Sequence, residues 1–117
     1  MKRCPVQTKR WGEAMKYVIS WTAREGGSGA DNEEAAKRGL QVFSKWSPPQ
    51  GDTFHQFLTR LDGEGGYAVV ETDNPLNILD SAAKFGVWFK FEVTPVVDIM
   101  EGTPVAAQAI EFRDSIS

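Results

Sequence analysis

Hydrophobic and polar positions alternate clearly in the segment Met15 to Thr22, MKYVISWT, where Tyr17, Ile19 and Trp21 oppose Val18, Ser20 and Thr22. A period of two with β-branched and aromatic residues predicts a strand. The glycine-rich stretch REGGSGADN follows and ends in residues that cap helices: Asp31 or Asn32 as cap, with Glu33 and Glu34 at the positive end of the dipole. From there the period becomes helical to about Trp46. Ala36, Leu40 and Phe43 lie along one line, widened by Ala35, Val42 and Trp46. SPPQGD stops that helix, because proline supplies no N–H and disfavours helix in the residue before it. A second strand is predicted from Thr53 to about Leu61, a short DGEGG turn next, and a third strand from Tyr67 to Thr72. Asn74 and Pro75 open a second helix, with Leu76, Leu79 and Ala83 as its buried side. A fourth strand is expected from Phe89 to Ile99, Pro95 marking an edge or bulge. Thr103 and Pro104 then start a last helix with Val105, Ala109, Phe112 and Ile116 on one face.

The order β-α-β-β-α-β plus a C-terminal helix predicts an α+β, ferredoxin-like fold: two helices on one face of a four-stranded antiparallel sheet. The strands are apolar on both faces, where a wetted face would show a polar residue at every second position. In TFHQF, simple alternation places Phe54 with Gln56 and Leu58, and His55 with Phe57 and Thr59, so neither face is polar. A second copy of the chain is the simplest cover for the face without helices, which gives a homodimeric α/β barrel.

The 117 residues suit one domain, read as residues 15–117 behind a flexible basic leader of residues 1–14. Lys2, Arg3, Lys9 and Arg10 against Glu13 give that leader +3; the chain carries −3, so the remainder carries −6. An acidic body argues against nucleic-acid binding, which relies on clustered Lys and Arg. No apolar run reaches the roughly 18 residues of a membrane span, and no secretory signal is evident. A lone Cys4 permits no internal disulfide and suits a reducing, cytoplasmic setting.

Two motifs carry a resemblance. VVETDNP leading into a helix and FKFEVTPVVDI near the end resemble a bacterial domain-of-unknown-function family, number 3303, across Lys16 to Ile99. The resemblance implies membership of the dimeric α/β-barrel superfamily. It brings no activity, and the motifs of the superfamily's enzymes, which include cofactor-free monooxygenases, haem-handling enzymes and isomerases, match no positions here.

Candidate chemistry centres on His55, the single histidine, whose ordinary pKa near 6.5 suits proton transfer. The commoner role for such a residue is a hydrogen-bonded strand histidine packed between rings. Glu71, at a strand–helix junction, is the second catalytic candidate, and Glu92 sits mid-way along the last strand. Trp21, Tyr67, Trp88 and Phe89 are candidates for the wall of a ligand site, though aromatics of this kind more often fill a core or an interface. GGSG and GEGG lack the lysine and the strand-to-helix setting of nucleotide loops, so both read as turns. No metal-ligand spacing and no cofactor motif is present. The expected function is binding of a small, partly apolar molecule beside the sheet. A monooxygenase- or isomerase-like enzyme using His55 and Glu71, or a non-catalytic interaction module, are the alternatives.

Overall fold

The computed structural model describes residues 13–116. All of the expected basic leader except Glu13 and Ala14 lies outside them. The elements are β1 (Met15–Ala23), α1 (Gly29–Lys45), β2 (Thr53–Thr59), β3 (Gly65–Thr72), α2 (Leu76–Phe85), β4 (Phe89–Val96) and α3 (Ile99–Ile116). The strands form one sheet in the order β2-β3-β1-β4, every neighbour antiparallel. This is the ferredoxin-like arrangement, with β1 and β3 central. β4, which contains Pro95, is an edge strand, where a missing N–H is tolerated.

One face of the sheet is covered by helices. Tyr17, Ile19 and Trp21 of β1 and Phe54 of β2 pack there around Ala68, Val70 and Ile78, with Val70 fully buried. Gly66 sits directly across from Trp21. A Cβ at Gly66 would overlap the Trp21 indole and the Leu58 carbonyl oxygen, so the missing side chain lets the indole lie over β3.

Several expectations are corrected. α1 begins earlier, capped by Ser28: its Oγ accepts from the Asp31 N–H at 3.1 Å, while Asp31 Oδ2 accepts from the Ser28 N–H at 3.3 Å. This reciprocal box outcompetes a cap at Asp31 or Asn32, and Gly27, at φ +76°, supplies the turn that delivers it. The inward line of α1 is Ala35, Gly39, Val42 and Trp46, rotated away from Leu40, which is 69% exposed. On α2 the buried residues are Ile78 and Phe85, two turns apart, while Leu76 and Leu79 face outward. Both sets have helical spacing, so periodicity alone could not choose the phase. α2 begins at Leu76 with Pro75 in the cap position, one residue later than expected, and Asn74 Oδ1 accepts from the Leu76 N–H at 3.1 Å. β2 and β4 end two and three residues before the expected limits. α3 starts at Ile99, a turn before Thr103, with the Asp98 N–H donating to Glu101 Oε1 at 3.3 Å. Pro104 therefore lies inside the helix. The face expected to pack, Val105, Phe112 and Ile116, is exposed, and α3 contains no buried residue.

The largest correction concerns TFHQF. Register shifts between Phe54 and Gln56: Phe54 stands opposite Val70, Gln56 opposite Val69 and Phe57 opposite Ala68. His55 is the extra residue of a β-bulge. The bulge leaves His55 on the open face, moves Gln56 and Leu58 to join it, and swings Phe57 into the helix-covered side. Phe54 and Phe57 thus share one face, ring centroids 5.2 Å apart, both edge-on to Trp46. The premise that these two rings occupy opposite faces is overturned.

Candidate functional site on the open sheet face

The face without helices is built from alternate residues of all four strands. Three rows cross it. The middle row is Val69, Val18 and Thr94; one end has Glu71, Lys16 and Val96; the other has Tyr67, Ser20 and Glu92. β2 adds His55, Gln56 and Leu58 along one margin. The surface is mixed, with Leu58 and Tyr67 about half exposed.

At the Glu71 end the structure joins the two catalytic candidates. His55 Nε2 lies 2.8 Å from Glu71 Oε1, both side chains partly open to solvent. An ionised carboxylate can only accept, so this contact selects the tautomer with its proton on Nε2. Nδ1 then carries the free lone pair, able to take a proton from a bound molecule. Glu71 thereby orients the ring, and the bulge backbone holds His55 within reach of the neighbouring strand.

Lys16 is the cross-strand neighbour of Glu71. Its Nζ bonds Asp98 Oδ1 at 2.8 Å, tying β1 to the start of α3. That hydrogen bond chiefly raises the Lys16 ammonium above its usual 10.5, with the charges of Asp98, Glu71 and Glu101 adding to it. Lys16, Glu71, Val96, Asp98 and Glu101 line a small cavity of about 110 Å³. At roughly 30 Å³ per water it has room for a few waters, so a larger ligand must lie out over the sheet. Lys16 and Asp98 escape a reading by residue type; only the strand register and the true start of α3 bring them to Glu71.

The other candidates divide. Tyr67 and Glu92 share the open face but stand four residues along from the Glu71 row, roughly 14 Å at strand spacing. Trp21, Trp88 and Phe89 lie on the helix-covered side. Trp21 packs against Phe57 and Phe91 at 5.6 and 6.5 Å, Phe89 against Phe91, and Trp88 against Phe85 and Gly39 of α1. Among the described residues no group of three or more His, Cys, Asp or Glu is arranged to hold a metal ion, and no helix is long and apolar enough to cross a membrane.

Residues 15–110 match the family described as a domain of unknown function, DUF3303. The chain belongs to that family. The match spans every strand and both helices of the ferredoxin-like unit, and so includes the His55–Glu71 pair of this DUF3303 chain. Comparison with curated proteins finds no match. Among solved structures, the chain is similar to SnoaB, a cofactor-independent oxygenase from Streptomyces nogalater, at TM-score 0.40 and 15% identity over 73% of this chain and 92% of that one. It is also similar to a protein provisionally assigned as a chlorite dismutase, TA0507, at TM-score 0.43 and 16% identity over 82% of this chain and 46% of that one. These are likenesses of outline, and the chemistry of those proteins does not travel with it.

Proposed function

We propose that the DUF3303 chain works as a homodimer whose two open sheet faces enclose a site for a small, partly apolar molecule. In that site His55, held by Glu71, is the proton acceptor. The single observation that carries the reading is the 2.8 Å contact between His55 Nε2 and Glu71 Oε1, a base paired with its orienting carboxylate. Val18, Val69, Leu58 and Tyr67 supply apolar area on the same face, so a bound molecule would meet both kinds of wall.

The second copy is supported by what one chain leaves uncovered. Ile99 and Met100 of α3 are each 79% exposed, and the helix buries nothing of its own. Large apolar side chains left this open are surface that a partner would cover. The phenylalanines of β2 no longer contribute to this case; the valines of the middle row and α3 replace them.

The test uses 2-indanone, a flat, largely apolar ketone with exchangeable C–H protons, followed by NMR in deuterated buffer. The full chain is expected to accelerate exchange over buffer, and His55→Ala to lower that acceleration about 100-fold. Glu71→Gln should cost less, because an amide oxygen still accepts from Nε2 but no longer carries charge. Exchange at the buffer rate with the wild-type chain, or equal rates for wild type and His55→Ala, would dismiss the proton-transfer reading.

A further inference from the structure

The opposite layer of the molecule has a feature that the open face does not explain. Between the C-terminal half of α1 and the end of α2 lies a cleft of about 630 Å³, within the size range of small-molecule sites. Three cations line it, Arg38, Lys45 and Lys84, and no carboxylate does. That concentration of positive charge stands out in a body that carries −6 overall.

Arg38, Val42 and Lys45 lie at i, i+4 and i+7 of α1, so they share one face. Helix-dipole compensation accounts for Lys45 and Lys84, each in the last turn of its helix. It does not account for Arg38, two turns upstream. Lys84 is paired with Asp80 at 2.8 Å, and Arg38 reaches only the Gln41 side chain at 3.4 Å. Lys45 has no ion pair among the described residues. Among the described residues, Arg38 and Lys45 therefore have no carboxylate partner beside the cleft.

A second observation comes from Trp46, which also lines the cleft. Its Nε1 is buried and has no hydrogen-bond partner among the described residues. The indole body is fixed by Phe43, Phe54, Phe57 and Phe85, with ring centroids between 5.9 and 6.4 Å. The ring therefore presents a fixed apolar wall to the cleft. Ser47 adds a hydroxyl, Ser44 donates its own to the Gln41 carbonyl oxygen at 2.7 Å, and Val42 offers apolar contact.

We propose that this cleft binds a small molecule with an anionic oxygen head, carboxylate or phosphate, on an aromatic or apolar body. Arg38 and Lys45 hold the head, and the body lies against Val42 and Trp46. Pairing of two chains through their open sheet faces leaves the helix layer outward, so the cleft stays accessible in the proposed dimer. The site does not depend on His55 or Glu71.

Calorimetric titration of the full chain with phenyl phosphate and with benzoate tests the assignment, with phenol as the neutral control. At least one anion is expected to bind saturably at one site per chain; the tighter of the two identifies the head group. Arg38→Glu and Lys45→Glu should each weaken binding by about tenfold or more, as expected for loss of a charge-assisted contact. Lys37→Glu, the same charge change on α1 outside the cleft lining, should leave it unaltered. In parallel, the indole N–H cross-peak absent from Trp46→Phe should shift as the anion is added to the wild-type chain. No saturation with either anion, phenol binding as well as its phosphate ester, or equal weakening by Lys37→Glu would each overturn the proposal. His55→Ala should not affect this binding, which separates its failure from failure of the open-face reading.

Discussion

Phe85→Ala is expected to lower the free energy of unfolding by about 3–5 kcal/mol, the range for truncating a buried phenylalanine. Phe85 is 9% exposed at the end of α2 and joins three aromatic neighbours, Phe43, Trp46 and Trp88, at 6.2, 5.9 and 6.4 Å. Phe43 and Trp46 belong to α1 and its exit, and Trp88 precedes β4. The ring therefore joins both helices and the sheet, and no single neighbour can collapse into the space it leaves. Against a typical stability of 5–15 kcal/mol, a loss of that size takes a large share. Leu79→Ala is the internal comparison: the leucine is 64% exposed, so its truncation should cost under about 1 kcal/mol. Urea denaturation followed by tryptophan fluorescence measures both. Equal costs for the two variants would mean that α2 is rotated from the phase described.

Val69→Glu carries the second large effect. Val69 and Val18 are cross-strand partners in the middle row of the open face. In a single chain a glutamate at Val69 points to solvent, so circular dichroism and the urea midpoint should change little. In the proposed dimer the same substitution buries two unpaired carboxylates, one from each copy. An uncompensated buried charge costs about 3–5 kcal/mol, so the dimer should weaken by about 1000-fold or more. Size-exclusion chromatography at several concentrations reads the shift. A substitution that leaves association untouched would place the interface elsewhere on the molecule.

The fold was largely legible in the sequence because its signals are local. Alternation in MKYVISWT, the helical period before Trp46 and the Asn74–Pro75 start each depend on a few neighbouring residues. Together they yield the element order and, through it, the ferredoxin-like sheet. Helix phase was not legible where two apolar lines compete, as in α2, because Leu76–Leu79–Ala83 and Ile78–Phe85 differ only in what lies across from them. A bulge is also invisible to alternation. Counting by twos through TFHQF puts Phe54 and Phe57 on opposite faces, whereas the ladder gains by uniting them over Trp46 and leaving His55 unpaired in the backbone.

The site was half legible. His55 and Glu71 stand out by residue type, and the structure brings them together. Lys16 and Asp98 become part of their surroundings only through cross-strand register and through α3 starting a turn early. Trp21, Trp88 and Phe89 look like a ligand wall in the sequence because aromatic character does not say which face it serves. Here these three serve the packing between sheet and helices, and the open face relies on valines, Leu58 and Tyr67.

In the proposed dimer a second copy completes the open face on which the His55–Glu71 pair stands. Sedimentation equilibrium at micromolar concentration tests it most directly. A homodimer sediments as a species of twice the 13.0 kDa chain mass. A single species at 13.0 kDa would contradict it.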